Sequence, residues 1–162
     1  MAVAPPQRYP RGGRPALDAQ WLAYLQDGGV VGDGSLIRAD SRMARSIDAF
    51  NQGNYLDAHE RFEASWRDAP YPERLCCLAL AKLSAGFAHA QNGNRAGAVR
   101  VVRDCRRWMP PFEPAYAGVD VARLVQEITR WLSDYRAGGE APTFPLIHRT
   151  EQRRPARSRR GD

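Results

Sequence analysis

Apolar residues recur along this chain at helical rather than strand spacing. Trp21, Leu22 and Leu25 fall on one side of a short helix from Leu17 to Gln26, and the four glycines of residues 27–35, DGGVVGDGS, then break regular structure. Met43, Ile47 and Phe50 mark one face of a helix from Arg42 to about Asn51, with Asp40 or Ser41 as its cap and Gly53 as its end. Asn54 is placed to cap the next helix, Tyr55 to about Asp68, whose stripe is Tyr55, Ala58, His59, Phe62 and Trp66.

Pro72 stands at the first turn of a third segment reaching about Gln91, apolar nearly all the way round through Leu75, Cys76, Leu78, Leu80, Leu83 and Phe87. That pattern predicts a buried central helix. Asn92-Gly93-Asn94 closes it and opens a fourth helix through about Trp108, with Val101, Val102, Cys105 and Trp108 inward and Pro110-Pro111 as its end. An irregular linker is expected next. Asp120 then caps a fifth helix in which Val121, Leu124, Val125, Ile128, Trp131, Leu132 and Tyr135 hold the helical period, stopped by Ala137-Gly138-Gly139. No run alternates as a strand does, so the predicted fold is all-α, an antiparallel bundle of about five to six helices.

A short internal echo supports helical hairpins. Asn51-Gln52-Gly53-Asn54 and its following Ala58 align with Gln91-Asn92-Gly93-Asn94 and Ala98. Each copy supplies a tight turn, a cap and a small residue where two helices cross, the logic of tetratricopeptide-like helix-turn-helix junctions. A duplicated unit and the common demands of any helical hairpin turn explain the echo equally well.

Charge divides the chain further. The net charge of +6 lies at the ends: residues 1–14 hold three Arg and no acid, residues 149–162 hold six Arg against Glu151 and Asp162, and the rest sums to −1. The expected organisation is a disordered basic arm (1–14), a short helix with a Gly-rich loop (15–39), the helical bundle (40–137) and an Arg-rich disordered tail (138–162). Such ends attract polyanions through salt-sensitive contacts, or serve simply as solubilising termini. Leu78 to Ala90, the longest apolar stretch, is interrupted by Lys82 and His89 and falls short of the ~20 residues of a membrane span. The Pro/Gly/Arg-rich start lacks the apolar core of a secretory signal, so a cytoplasmic protein with no membrane contact is expected. Cys76, Cys77 and Cys105 form no CxxC pair and read as reduced, buried thiols.

The residues able to carry chemistry sit in Ala58-His59-Glu60-Arg61-Phe62-Glu63-Ala64-Ser65-Trp66. One helical turn separates His59 from Glu63, so both side chains leave the same side of the helix, with Glu60 beside them. The HExxE spacing is the zinc-peptidase pattern HExxH with its second His replaced by a carboxylate, which can still ligate a metal. With His89 as third ligand, His59 and Glu63 would suit zinc or ferrous iron. The alternative is a hydrogen-bonded polar cluster or simple ligand pocket of His59, Glu63, Trp66, Lys82 and His89, in which Lys82 neutralises Glu63 or Glu60. Glu60 and Lys82 are the candidates for acid-base work in either case.

Phe50-Asn51-x-Gly53-x-Tyr55-x-x-Ala58-His59-Glu60-x-x-Glu63-x-x-Trp66, then His89, Gly93-Asn94-x-x-Gly97-Ala98 and Gly118-x-Asp120, resembles the bacterial and archaeal family called domain of unknown function 309. The resemblance covers about residues 40–135. It implies an all-α bundle with His59, Glu60, Glu63, Trp66 and His89 at signature positions, and it brings no assigned reaction. Lys82 departs from the family pattern, where an uncharged polar residue is more typical. The sequence therefore leads to a helical binding domain for a small ligand or protein partner, with a metal-dependent hydrolase-like enzyme, and nucleic-acid association through the Arg-rich ends, as the alternatives.

Overall fold

A computed structural model describes residues 3–8, 14–29 and 41–150. Among the described residues six helices follow in order: α1 (Arg14–Gln26), α2 (Arg42–Asn51), α3 (Tyr55–Asp68), α4 (Glu73–Gln91), α5 (Arg95–Arg106) and α6 (Val121–Arg136). The all-α bundle is thus borne out, and α2 and α3 have the limits their apolar period predicts. Ser41 caps α2 by accepting from the Ala44 amide, and Asp120 caps α6 by accepting from that of Arg123. The Gly-rich stretch from residue 30, Asp40 and residues 151–162 lie outside the described residues.

The α2–α3 and α4–α5 junctions are the same turn. In both, Gly sits in the left-handed region, Gly53 at φ +80° and Gly93 at φ +77°. The amide three residues past each helix reaches back to an equivalent carbonyl, Asn54 to Ala49 and Asn94 to His89, both at 2.9 Å. This is the Schellman arrangement, which satisfies carbonyls that a helix end leaves bare. The two asparagines differ. Asn94 accepts from the Gly97 amide at 3.1 Å and caps α5, whereas the Asn54 side chain makes no capping bond to α3 and turns to Gln52.

Helix α4 is the hub, packed by α3 on one flank and α5 on another. Ala58 and Ala98, the small residues after each turn, are fully buried at these crossings. Gly86 matters more: a Cβ there would lie 2.5 Å from Val102 Cγ2 and 3.3 Å from the Val102 backbone nitrogen. The α4–α5 distance is therefore set by the absence of a side chain. Phe87, next along α4, gathers the aromatic core, with ring centroids 5.4 Å from Tyr55, 5.7 Å from Phe50 and 4.9 Å from Trp131 on α6.

Three features depart from the sequence reading. The linker between α5 and α6 is ordered into a 3₁₀ turn, Pro110–Phe112, and a two-stranded hairpin, β1 (Ala115–Tyr116) paired with β2 (Val119–Asp120). Its tight turn carries Ala117 at φ 52° and Gly118 at φ 80°, which two-residue strands could not advertise by alternation. The start of the expected C-terminal tail is part of the fold. Phe144 packs on Tyr55, Phe87 and Trp131, Ile147 is buried, and the Asn51 amide both donates to the Ile147 carbonyl and accepts from its amide. Part of the expected N-terminal arm also lies on the body: Gln7 exchanges two hydrogen bonds with the Tyr71 backbone, and the Trp21 indole donates to the Pro6 carbonyl.

Two measurements test this packing. Gly86→Ala gains helix propensity of up to ~1 kcal/mol, yet it should lower stability by about 1–2 kcal/mol in urea unfolding, because the rigid Val102 must move. Burial pushes the Cys76 thiol from 9.0 up to about 12 and the Tyr55 phenol from 10.0 up to about 12, and it raises Cys77 and Cys105 as well. The folded state therefore keeps protons that the unfolded chain releases above about pH 9. The stability held below that pH should fall steadily towards pH 11, read as a declining urea midpoint.

Candidate functional site

The HExxE segment occupies the middle of α3, where Tyr55, Ala58 and Phe62 take the buried stripe and leave His59 and Glu63 on its flank. His59 Nδ1–H donates to the Ala81 carbonyl of α4 at 2.9 Å. That bond fixes the ring, so Nε2 points along α3 to Glu63 Oε2 at 3.7 Å, with the two side chains 34% and 39% exposed. The other carboxylate oxygen of Glu63 lies 3.5 Å from Arg67. His59, Glu63 and Arg67 thus form a line along α3 with one-turn spacing, half in water, and Glu60 stands exposed beside it.

Lys82 does not join them. Its ammonium donates to Asp104 Oδ2 of α5 at 3.0 Å and lies 4.6 Å over the Trp108 ring, so the expected pairing with Glu63 or Glu60 is corrected. The reason is helical phase. Leu78, Lys82, Ala85 and His89 share the partly exposed stripe of α4, while the residues that meet α3 are wholly buried. His89 follows the same stripe. Its Nδ1 accepts from the Asn94 amide at 3.3 Å, and it stands eight residues beyond Ala81, about 12 Å along the helix. The structure thus keeps His59 with Glu63 and places His89 at the α4–α5 turn. Among the described residues no three His, Cys, Asp or Glu side chains assemble as a metal-binding group.

Trp66 belongs to a second constellation, which the pattern of the chain did not reveal. Arg74, near the start of α4, is buried with Asp18 of α1, and their side chains are only 6% and 7% exposed at a separation of 2.9 Å. The Tyr71 hydroxyl donates to the same carboxylate oxygen, Arg74 Nη1 donates to the Trp66 carbonyl at 3.2 Å, and the guanidinium lies 4.2 Å over the Trp66 ring. Trp21 stacks flat on Tyr71, with centroids 5.1 Å apart. Ser65 Oγ, Trp66 Nε1 and Arg74 Nη2 are buried without a hydrogen-bond partner among the described residues. The available signal was compositional: Asp18 interrupts the apolar face of α1, and a buried carboxylate requires a cation.

Helices α2, α3, α4 and the first half of α5 match the family model described as Domain of unknown function (DUF309), over residues 43–101. The resemblance is thereby shown for residues 43–101, the part of the stretch 40–135 that holds the HExxE segment. The DUF309 segment contains His59, Glu60, Glu63, Trp66, Lys82 and His89, while Asp18 and the ordered C-terminal stretch lie beyond it. No curated protein matches the chain.

The two charged constellations should respond differently to mutation. Asp18→Ala leaves Arg74 buried and unpaired, so a loss of about 3–5 kcal/mol is expected in chemical denaturation. Asp104→Ala removes a partner from a pair exposed at 32% and 44% and should cost under about 1 kcal/mol. Equal losses would contradict the distinction drawn from burial.

Proposed function

We propose that this protein is a non-catalytic helical binding domain, and that α3 of the DUF309 segment receives a cationic or hydrogen-bond-donating side chain from a partner. The observation that carries the reading is the held ring of His59: its inner nitrogen is used by the Ala81 carbonyl, which directs its outer nitrogen and the Glu63 carboxylate to the surface together. A polar pair fixed from beneath and open above loses little freedom on binding, which is the advantage of a preorganised site. The exposed face of α3 extends this patch. Leu56, Glu60, Glu63 and Arg67 fall at i, i+4, i+7 and i+11, and Leu56 is 66% exposed. An apolar contact beside two carboxylates suits a Lys- or Arg-bearing segment of a protein.

Titration of the isotope-labelled chain with an Arg/Lys-rich peptide, followed by NMR, tests this. Saturable shifts are expected at His59, Glu60 and Glu63, with none from an acidic peptide. Glu63→Gln should weaken binding by about tenfold, the loss of one charge-assisted hydrogen bond. Absence of shifts on α3 would refute the reading. Near-stoichiometric zinc or iron in the untagged protein, lost in both His59→Ala and Glu63→Gln, would move the assignment to metal-dependent chemistry.

A further inference from the structure

Where α4 meets the C-terminal half of α5, the surface opens into a groove of about 650 Å³. Its walls hold five cations, Lys82, Arg100, Arg103, Arg106 and Arg107, against one acid, Asp104. Residues 15–148 together sum to −1, so a local excess of four positive charges is segregation rather than the average of the surface. The acid is already engaged: Asp104 holds Lys82 at 3.0 Å and lies 3.7 Å from Arg107. Lys82 is further fixed over Trp108 and forms a positioned charge in the wall of the groove.

Arg100, Arg103 and Arg107 are exposed and follow one another at i, i+3 and i+7. They share one helix face and span about 10 Å along α5. Like charges at this spacing repel by a few tenths of a kcal/mol per pair, and while the helix dipole favours Arg103 and Arg107 at the end of α5, it gives no reason for Arg100 two turns earlier. A guanidinium fork matches phosphate oxygens in shape and charge. A protein partner would require apolar or aromatic anchors at the centre of its seat, and Val101 is the sole apolar residue of this lining. Interfaces as strongly positive as this lining are those formed with nucleic acids.

We propose that the α4–α5 groove binds the phosphodiester backbone of a nucleic-acid strand without regard to base sequence. Arg100, Arg103 and Arg107 contact phosphates, and Lys82 supplies a fixed positive charge beside them. This surface is built by residues of α4 and the C-terminal half of α5. It also stands independently of the partner proposed for α3, because neither His59 nor Glu63 lines it.

Fluorescence anisotropy of labelled mixed-sequence single-stranded RNA and DNA, titrated with the full chain across about 50–200 mM salt, reads both affinity and the number of phosphates engaged. The variants are Arg100→Glu/Arg103→Glu and, separately, replacement of the six Arg of residues 149–160 by Ser. The groove variant should bind roughly tenfold or more weakly, and its slope of log affinity against log salt should fall by about 1.4, the value for two single-strand contacts. Thermal melting confirms that it is folded, and Arg100→Gln/Arg103→Gln gives a milder version of the same readout. The comparison of RNA with DNA shows which strand the groove prefers. The proposal fails if the full chain binds neither strand, if the slope changes only in the C-terminal variant, or if polyglutamate displaces the strand at equal charge.

Discussion

The close approach of α4 and α5 at Gly86 is the constraint on which the rest of the body depends. Helix α4 has almost no polar residue on the sides that meet its neighbours, so it is stable only when covered on all of them. Gly86 lets the Val102 backbone approach where any side chain would hold it away. Phe87 can then reach Tyr55, Phe50 and Trp131 at once and join α2, α3 and α6 into one core. The C-terminal stretch closes that core, because Phe144 covers the remaining edge of the same aromatic group.

A helix buried on most sides has one narrow stripe left for polar groups, and on α4 that stripe carries Lys82 and His89. It faces α5 and the α4–α5 turn rather than α3. The polar chemistry of the molecule is consequently divided between two surfaces. His59 and Glu63 present an acceptor-rich patch on α3, while Lys82 and the arginines of α5 form a cationic groove. Separation by a packed apolar helix keeps the two sets from neutralising each other.

The Asp18–Arg74 pair works differently from either surface. Both charges are removed from water, which is costly unless the pair is closely matched. Here Tyr71 and the Trp66 carbonyl supply further hydrogen bonds, and Trp66 and Trp21 cover the group with aromatic area. Its effect is to fix α1, and with it the backbone at Pro6 and Gln7, against the corner where α3 passes into α4. Arg74 and Trp66 are thereby committed to holding the fold, while His59, Glu60 and Glu63 of the HExxE segment stay open to solvent.

Helix number, the limits of α2 and α3, the central place of α4, both glycine turns and the His59–Glu63 adjacency were legible in the sequence. Each depends on residues within a turn or two of one another, where a period of 3.6 and the φ preference of glycine act alone. What the tertiary structure decided is which residues distant in the chain meet. Lys82 goes to Asp104 instead of Glu63 because of its phase on a helix flanked by two neighbours. Asp18 finds Arg74 across 56 positions, and Asn51 finds Ile147 across 96. The stretch after Gly139 has no helical period to announce it and is ordered by a pocket that several helices build together, so local pattern carried no trace of it.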